Sequence, residues 1–166
     1  MSVEFIGMLN TNGFSESNLP RGPAIDKTYL AAIAQAHEYA GFDRALIGYF
    51  SIGADGFQVA SYAASQTRRL KFLLAHRPGF VAPALAARQL ATLDHFSDGR
   101  LAVHIITGSD DAEQQKEGDF LDKEQRYRRT DEYLEIVRKV WTLDQPFDHD
   151  GMHYRVRDAF TPIKPL

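Results

Sequence analysis

A chain of 166 residues, 44% hydrophobic and 25% charged, is sized for one domain with a core, since a domain of that length buries roughly 70% of its unfolded surface. A net charge of −3 supplies no basic field for nucleic acid or an anionic membrane, and the absence of cysteine excludes disulfides, thiolate nucleophiles and cysteine-based metal sites. No basic leader with an apolar core opens the sequence and no run approaches 18 apolar residues, a pattern that predicts a cytoplasmic protein off the membrane.

Val3 to Leu9 reads as a first strand, and the Gly/Ser/Asn/Pro-rich stretch from Asn10 to Pro23 as a loop. Asp26 then caps a helix with Tyr29, Ile33, Ala36 and Ala40 on one face and Gly41 as its stop. Arg44 to Ile47 is a second strand, Gly48 to Asp55 a loop, and Phe57 to Ser65 a second helix built on Val59, Ala60, Tyr62, Ala63 and Ala64. Leu70 to Ala75 is a buried strand. Pro83 to Ser97 is a helix with Leu85, Leu90, Leu93 and Phe96 near helical spacing, stopped by Gly99, and Leu101 to Ile106 is the fourth strand. Strand ends recur at about 30 residues, the length of a βαβ unit, which predicts parallel strands with right-handed crossovers.

A charged loop from Asp110 to Asp122 leads into a helix from about Lys123 to Trp141 with Tyr133, Ile136, Val137 and Val140 at core spacing. Its Glu132 and Glu135, mixed with Arg128, Arg129, Arg138 and Lys139, read as a solvated face. Phe147-Asp148-His149 and Met152-His153-Tyr154 flank Asp150-Gly151, the signal of a hairpin on a type I′ turn. His149 and His153 would converge on a metal only from a helix, which Asp150-Gly151 argues against, so no metal is expected.

Parallel α/β folds put their chemistry where the strands end. Directly after the fourth strand stands Thr107-Gly108-Ser109, whose backbone N–H groups and hydroxyls suit an anion or a flavin edge, although a turn chosen for geometry alone has the same composition. After the third strand stand Ala75-His76-Arg77-Pro78, with Arg77 able to grip an anion by a bidentate fork. Neither G-x-G-x-x-G after the first strand nor G-x-x-x-x-G-K-[ST] occurs, so a Rossmann nicotinamide site or a P-loop has no support.

The segments RPGFVAPALAARQLATLDHFSDGRL, IITGSD and FLDKEQRYRRTDEYLEIVRKVW, in that order, resemble the bacterial luciferase-like flavin monooxygenases, and within them the alkanesulfonate monooxygenase branch. The resemblance implies the N-terminal half of a TIM (β/α)₈ barrel, four parallel strands with helices and an inserted β-hairpin, in one incomplete domain over residues 1–166, because a complete barrel needs about 250 residues. It implies a two-component enzyme in which reduced FMN, delivered by a separate NAD(P)H flavin reductase, and O₂ oxidise a small organosulfur compound such as an alkanesulfonate. The half present here would be inactive alone. Ala75, His76, Thr107, Gly108, Ser109 and Tyr127 would meet the cofactor, with Tyr127 reaching the flavin phosphate and a non-proline cis peptide at Ala75–His76. Asn12, Tyr49 and Arg77 would face the substrate, with Phe50 also at the mouth.

Related enzymes imply a homodimer or homotetramer, here through the alanine-rich faces of Phe57–Ser65 and Pro83–Ser97. Two departures weaken the sulfonate reading: Asn12 stands where that branch has a histidine, and Gly53 where it has a cysteine. The alternative is a non-catalytic half-barrel, a flavin-binding or assembly module that associates through its open sheet edges.

Overall fold

The structure, a computed structural model, describes residues 3–13, 17, 19 and 22–166. The loop expected between Asn10 and Pro23 falls partly on residues 14–16, 18, 20 and 21, which lie outside the described residues. Two compact units emerge, one of Met1–His76 with Phe96–His104, the other of Arg77–His95 with Ile105–Leu166.

The first unit is built on four parallel strands in the order β1 (Ile6–Met8), β2 (Arg44–Ile47), β3 (Lys71–His76) and β4 (Leu101–Ile105). Ile6 sits beside Arg44, and Arg44 beside Lys71, so neighbouring strands march in step. β1 is shorter than its sequence suggests because it is an outer strand: the amide of Phe5 already turns to the Asp43 carboxylate at 2.8 Å. Val3 and Phe5 are left 76% and 64% exposed.

Helix α1 (Lys27–Tyr39) starts where the Asp26 carboxylate accepts from the amides of Thr28 and Tyr29, and ends before Gly41 at φ +79°. Its buried residues are Leu30 and Ala34, while Ala36 and Ala40 are exposed, so the inward face is turned by about one residue from the expected one. Helix α2 (Gly56–Ser65), capped by Asp55, buries Val59, Ala60, Ala63 and Ala64 as expected.

Two polar devices fix where β3 begins. The Glu38 carboxylate accepts from the amides of Arg68, Arg69 and Leu70 at 2.6–2.9 Å; burial pushes its carboxyl up, but these three donors outweigh that and hold it below the usual carboxylate range. The Arg100 guanidinium is buried and donates to the carbonyls of Ser97, Leu70 and Ala64 and to the Thr67 hydroxyl. It lies over the Phe72 ring at 5.5 Å. One side chain thereby ties the end of α2, the start of β3 and the start of β4.

The second unit packs α3 (Pro83–Phe96) on α5 (Lys123–Thr142). The cluster is Ala86, Ala87, Tyr133, Ile136, Val137 and Val140, all 2% exposed or less. The four expected core positions of α5 are therefore correct. On α3 Leu90 and Leu93 are buried, but Leu85 and Phe96 are 40% and 73% exposed, and alanines take their place. The buried alanines of these faces pack within the chain, α2's in its own unit and α3's against α5. Trp141 closes the packing by donating Nε1–H to the Ala87 carbonyl at 2.9 Å.

The expected loop from Asp110 to Asp122 contains a short helix, α4 (Asp111–Gln115), capped by Asp110. The hairpin is β5 (Phe147–Asp150) with β6 (Arg155–Ala159), antiparallel, but its turn is not type I′. Asp150 pairs with Arg155, leaving residues 151–154 as the loop, and neither Asp150 nor Gly151 has positive φ. The cause is Glu132, whose carboxylate accepts from the amides of His153 and Tyr154 at 2.9 and 2.8 Å and holds the loop open. A Cβ on Gly151 would stand 1.8 Å from Glu132 Oε1, so the glycine is there for close approach.

Replacing Arg100 by Met would leave three carbonyls and a hydroxyl without their buried donor and is expected to cost about 3 kcal/mol. Urea unfolding reads this directly. A midpoint unchanged from the parent chain would mean the clamp contributes nothing.

Candidate functional site

In the first unit, Ala75 and His76 close β3, 7% and 3% exposed. The peptide bonds of the described residues are all trans, so the cis bond expected at Ala75–His76 is absent; the backbone there simply continues the strand, avoiding the 3–4 kcal/mol that a non-proline cis form costs. The His76 ring meets Phe57 edge-on at 5.6 Å, and burial pushes its pKa down to about 4. It is therefore neutral at pH 7. Asn12 is half-buried and reaches the Ala24 carbonyl at 3.5 Å, beside Thr11, whose hydroxyl donates to the same oxygen at 2.7 Å. Tyr49 is half-buried and Phe50 is 60% exposed.

In the second unit, Thr107, Gly108 and Ser109 follow β4, with Thr107 half-buried and Ser109 exposed. Gly108 has φ +81° and presses on Gln114, whose amide nitrogen would lie 2.3 Å from any Cβ placed there. Tyr127, in the second turn of α5, is 55% exposed. Arg77 is 5% exposed, 3.5 Å from the Glu117 carboxylate and 5.8 Å from the centre of the Phe80 ring. Its fork is thus engaged within the chain.

The charged face of α5 divides in two. Arg128 with Glu124 and Lys139 with Glu135 are surface pairs one turn apart, as expected. Arg126, Arg129 and Glu132 are not solvated. Arg129 pairs with Asp119, their side chains 12% and 4% exposed, and also donates to the Pro78 carbonyl. Burial pushes the Asp119 carboxyl up, but Arg129 and the Leu121 amide outweigh it and hold it below its usual range. Burial likewise works against the Glu132 carboxylate, which the amides of His153 and Tyr154 and the His149 ring keep low.

A cavity of about 490 Å³ adjoins Arg129 and Asp119, walled by Phe80, Phe120, Leu121 and Tyr154. Nothing in the spacing of Asp119 and Arg129 signalled this pair, because ten residues of loop and helix separate them. The His149 ring nitrogen Nε2 lies 3.1 Å from the Glu132 carboxylate. No group of metal-binding side chains occurs among the described residues, nor any helix long and apolar enough to cross a membrane.

Four parallel strands joined in chain order through helices define a partial (β/α)-barrel fold. Residues 4–166 match the Luciferase-like monooxygenase family, and the chain belongs to it. Among solved structures it is similar to the EDTA monooxygenase from Chelativorans sp. BNC1, with TM-score 0.82, 19% identity, and 98% of this chain against 46% of that one. It is similar also to the oxygenating constituent of 3,6-diketocamphane monooxygenase from the CAM plasmid of Pseudomonas putida, in complex with FMN, at TM-score 0.75 and 20% identity, covering 99% and 49% of the two chains. An F420-dependent secondary alcohol dehydrogenase with an F420-acetone adduct matches at TM-score 0.82 and 19% identity over 99% and 50%. Likeness at this level establishes the fold. The chain spans about half the length of each of these structures.

A buried imidazole with a depressed pKa favours folding fully above the unfolded value of 6.5, and that contribution is lost as pH falls from 6.5 towards about 4. Its size is roughly 3 kcal/mol. Urea midpoints should therefore fall over that window, and His76→Gln should flatten the fall. A parent chain equally stable at pH 7 and pH 4.5 would contradict the burial of a neutral His76.

Proposed function

We propose that the chain forms the N-terminal half of a two-component, FMNH₂-dependent monooxygenase barrel, as one incomplete domain over residues 1–166. The observation that carries this reading is the donor set of half-buried Thr107 with exposed Ser109 and Tyr127, after β4 and on α5, in a member of this family. Three hydroxyls that donate without adding charge suit the carbonyl edge and phosphate of a flavin, so the residues present fit the group. Bound reduced FMN would supply the electrons for oxygen activation, while the protein orients the reactants and excludes water.

Within that reading, in the second unit Thr107 and Ser109 bind the cofactor beside the Gly108 turn and Tyr127 donates to its phosphate, while in the first unit Ala75 and neutral His76 end β3 without charge. His76, its pKa pushed down to about 4 by burial, adds no positive charge there at neutral pH. In the first unit Asn12 and Tyr49 face an organic substrate; Arg77, buried and turned to Glu117, is not assigned to it, contrary to the sequence expectation. A small organosulfur compound is the substrate class we favour. Asn12 and Gly53, which replace a histidine and a cysteine of the alkanesulfonate branch, speak against a simple alkanesulfonate. Electrons come from a separate flavin reductase, since the sequence carries no nicotinamide motif.

Activity requires four further βα units, supplied with the outer strands β1 and β4 as their docking edges. The half-length match to relatives supports this. So do the apolar side chains left exposed along β1, with Ile6 at 48% and Met8 at 43%. The same edges favour a second reading, a half-barrel that binds flavin or assembles without catalysing.

Anaerobic fluorescence titration with reduced and oxidised FMN tests both. The 166-residue chain should bind weakly, reduced better than oxidised, and Thr107→Val or Tyr127→Phe should weaken binding about two-fold for a lost neutral hydrogen bond and up to about a hundred-fold for one to phosphate. Unchanged affinity in both variants removes these residues from the site. Tight stoichiometric binding by the short chain favours the stand-alone module.

A further inference from the structure

The largest fully buried side chain is a charged one, Arg126, 1% exposed and immediately before Tyr127. Its Nη1 donates to the Leu121 carbonyl at 2.6 Å and its Nη2 stands 2.7 Å from the carboxylate of Asp111, the first residue of α4. Burying a guanidinium is costly unless an opposite charge accompanies it, and here, with Nε and Nη2 making no hydrogen bond, the Asp111 carboxylate is that ion-pair partner. The contact therefore fixes the start of α4 to the second turn of α5.

A second buried polar group works on the same segment from the other side. Gln114 is 1% exposed and lies against Gly108, and its Nε2 donates to the Asp110 carbonyl at 3.2 Å. Its own backbone carbonyl accepts from the amides of Glu117 and Asp119, both at 3.1 Å. Its Oε1 is buried with no hydrogen-bond partner among the described residues. A polar side chain kept in so costly a place, where an apolar one of equal bulk would fill the space, points to a role beyond packing.

We infer that Arg126 with Asp111, and Gln114 beneath Gly108, are positioning residues. They hold the Thr107-Gly108-Ser109 turn and Tyr127 in one preset arrangement before a ligand arrives, and so give the second unit its preference for a flavin that carries a phosphate. This rests on the flavin reading of the preceding subsection. Neither Arg126 nor Gln114 has a polar atom free to reach solvent, so neither contacts the ligand. Preorganisation of this kind raises affinity by removing the ordering cost from the binding step, and its loss should be felt most at the phosphate end, which the displaced Tyr127 would no longer meet.

The test compares the parent chain with Asp111→Asn, Arg126→Met and Gln114→Met. Two quantities are read: hydrogen exchange of the amides of Gln114, Glu117 and Asp119, and the ratio of affinities for FMN and riboflavin. Asp111 is 64% exposed on its side chain and Asn keeps an oxygen at the same place, so Asp111→Asn is the mildest of the three changes, and urea unfolding identifies any variant that has lost the fold. Exchange should quicken at least ten-fold at these amides with Phe72 of β3 unchanged, and the FMN preference should fall about ten-fold with riboflavin affinity unaltered. Faster exchange with the preference intact would make the network merely structural and overturn the proposal, as would unchanged exchange in all three variants. A parent chain that shows no FMN preference, or one insensitive to Tyr127→Phe, would instead sink the flavin reading itself, and the role in ligand selection with it.

Discussion

Parallel pairing is the constraint on which the rest of the first unit depends. A parallel strand can be reached only by a crossover connection, so β1 to β4 must alternate with helices, and the carboxyl ends of such strands share one edge of the sheet. Short strands of three to six residues give that sheet little grip of its own. Its geometry is set by fixed polar contacts at the opposite ends of the strands, where Glu38 gathers three amides and Arg100 gathers three carbonyls and a hydroxyl. With one end of the sheet held by stability devices, the residues at the carboxyl ends are free to be chosen for binding.

The second unit depends on α5 in a comparable way. One face of that helix is apolar and buries Tyr133, Ile136, Val137 and Val140. A second face is charged and buried, with Arg126 on Asp111, Arg129 on Asp119, and Glu132 on the hairpin loop. Each of these interactions fastens a different irregular segment to the same rigid helix. That division explains why the loops beside the proposed flavin contacts are ordered without long regular structure of their own, and why three glycines, at 79, 108 and 151, stand where a side chain of α4 or α5 approaches too closely for a Cβ.

Order, type and approximate limits of the four parallel strands were legible because apolar runs and amphipathic stretches alternate at βαβ spacing. Faces were legible where large side chains supplied contrast, as on α5, and were not where alanine dominated. On α1 the sets Tyr29-Ile33-Ala36-Ala40 and Leu30-Ala34 are both plausible from periodicity, and only the close approach of neighbours selects the second. The same ambiguity hid Ala86 and Ala87 on α3. Asp150-Gly151 looked like a tight turn since local signals describe a chain segment in isolation, whereas the loop is opened by Glu132, some twenty residues away. Buried charges were misread for a similar reason: spacing along a helix cannot tell a solvated arginine from one that a distant loop will cover. The strand-end positions of Ala75, His76 and Thr107 were legible because apolar runs mark where strands stop; the buried polar network beside Gly108 was not, since it is tertiary throughout.

Thr107, Ser109 and Tyr127, rather than the cavity beside Asp119 and Arg129 in the same unit, are proposed to receive a phosphate-bearing flavin. Backbone amide chemical-shift mapping of the 18.7 kDa chain during titration with FMN tests it most directly. Shifts concentrated at residues 107–109 and 127, and saturating together, are the expected result. Shifts confined to residues 79–80 and 117–121, or none at millimolar FMN, would contradict it.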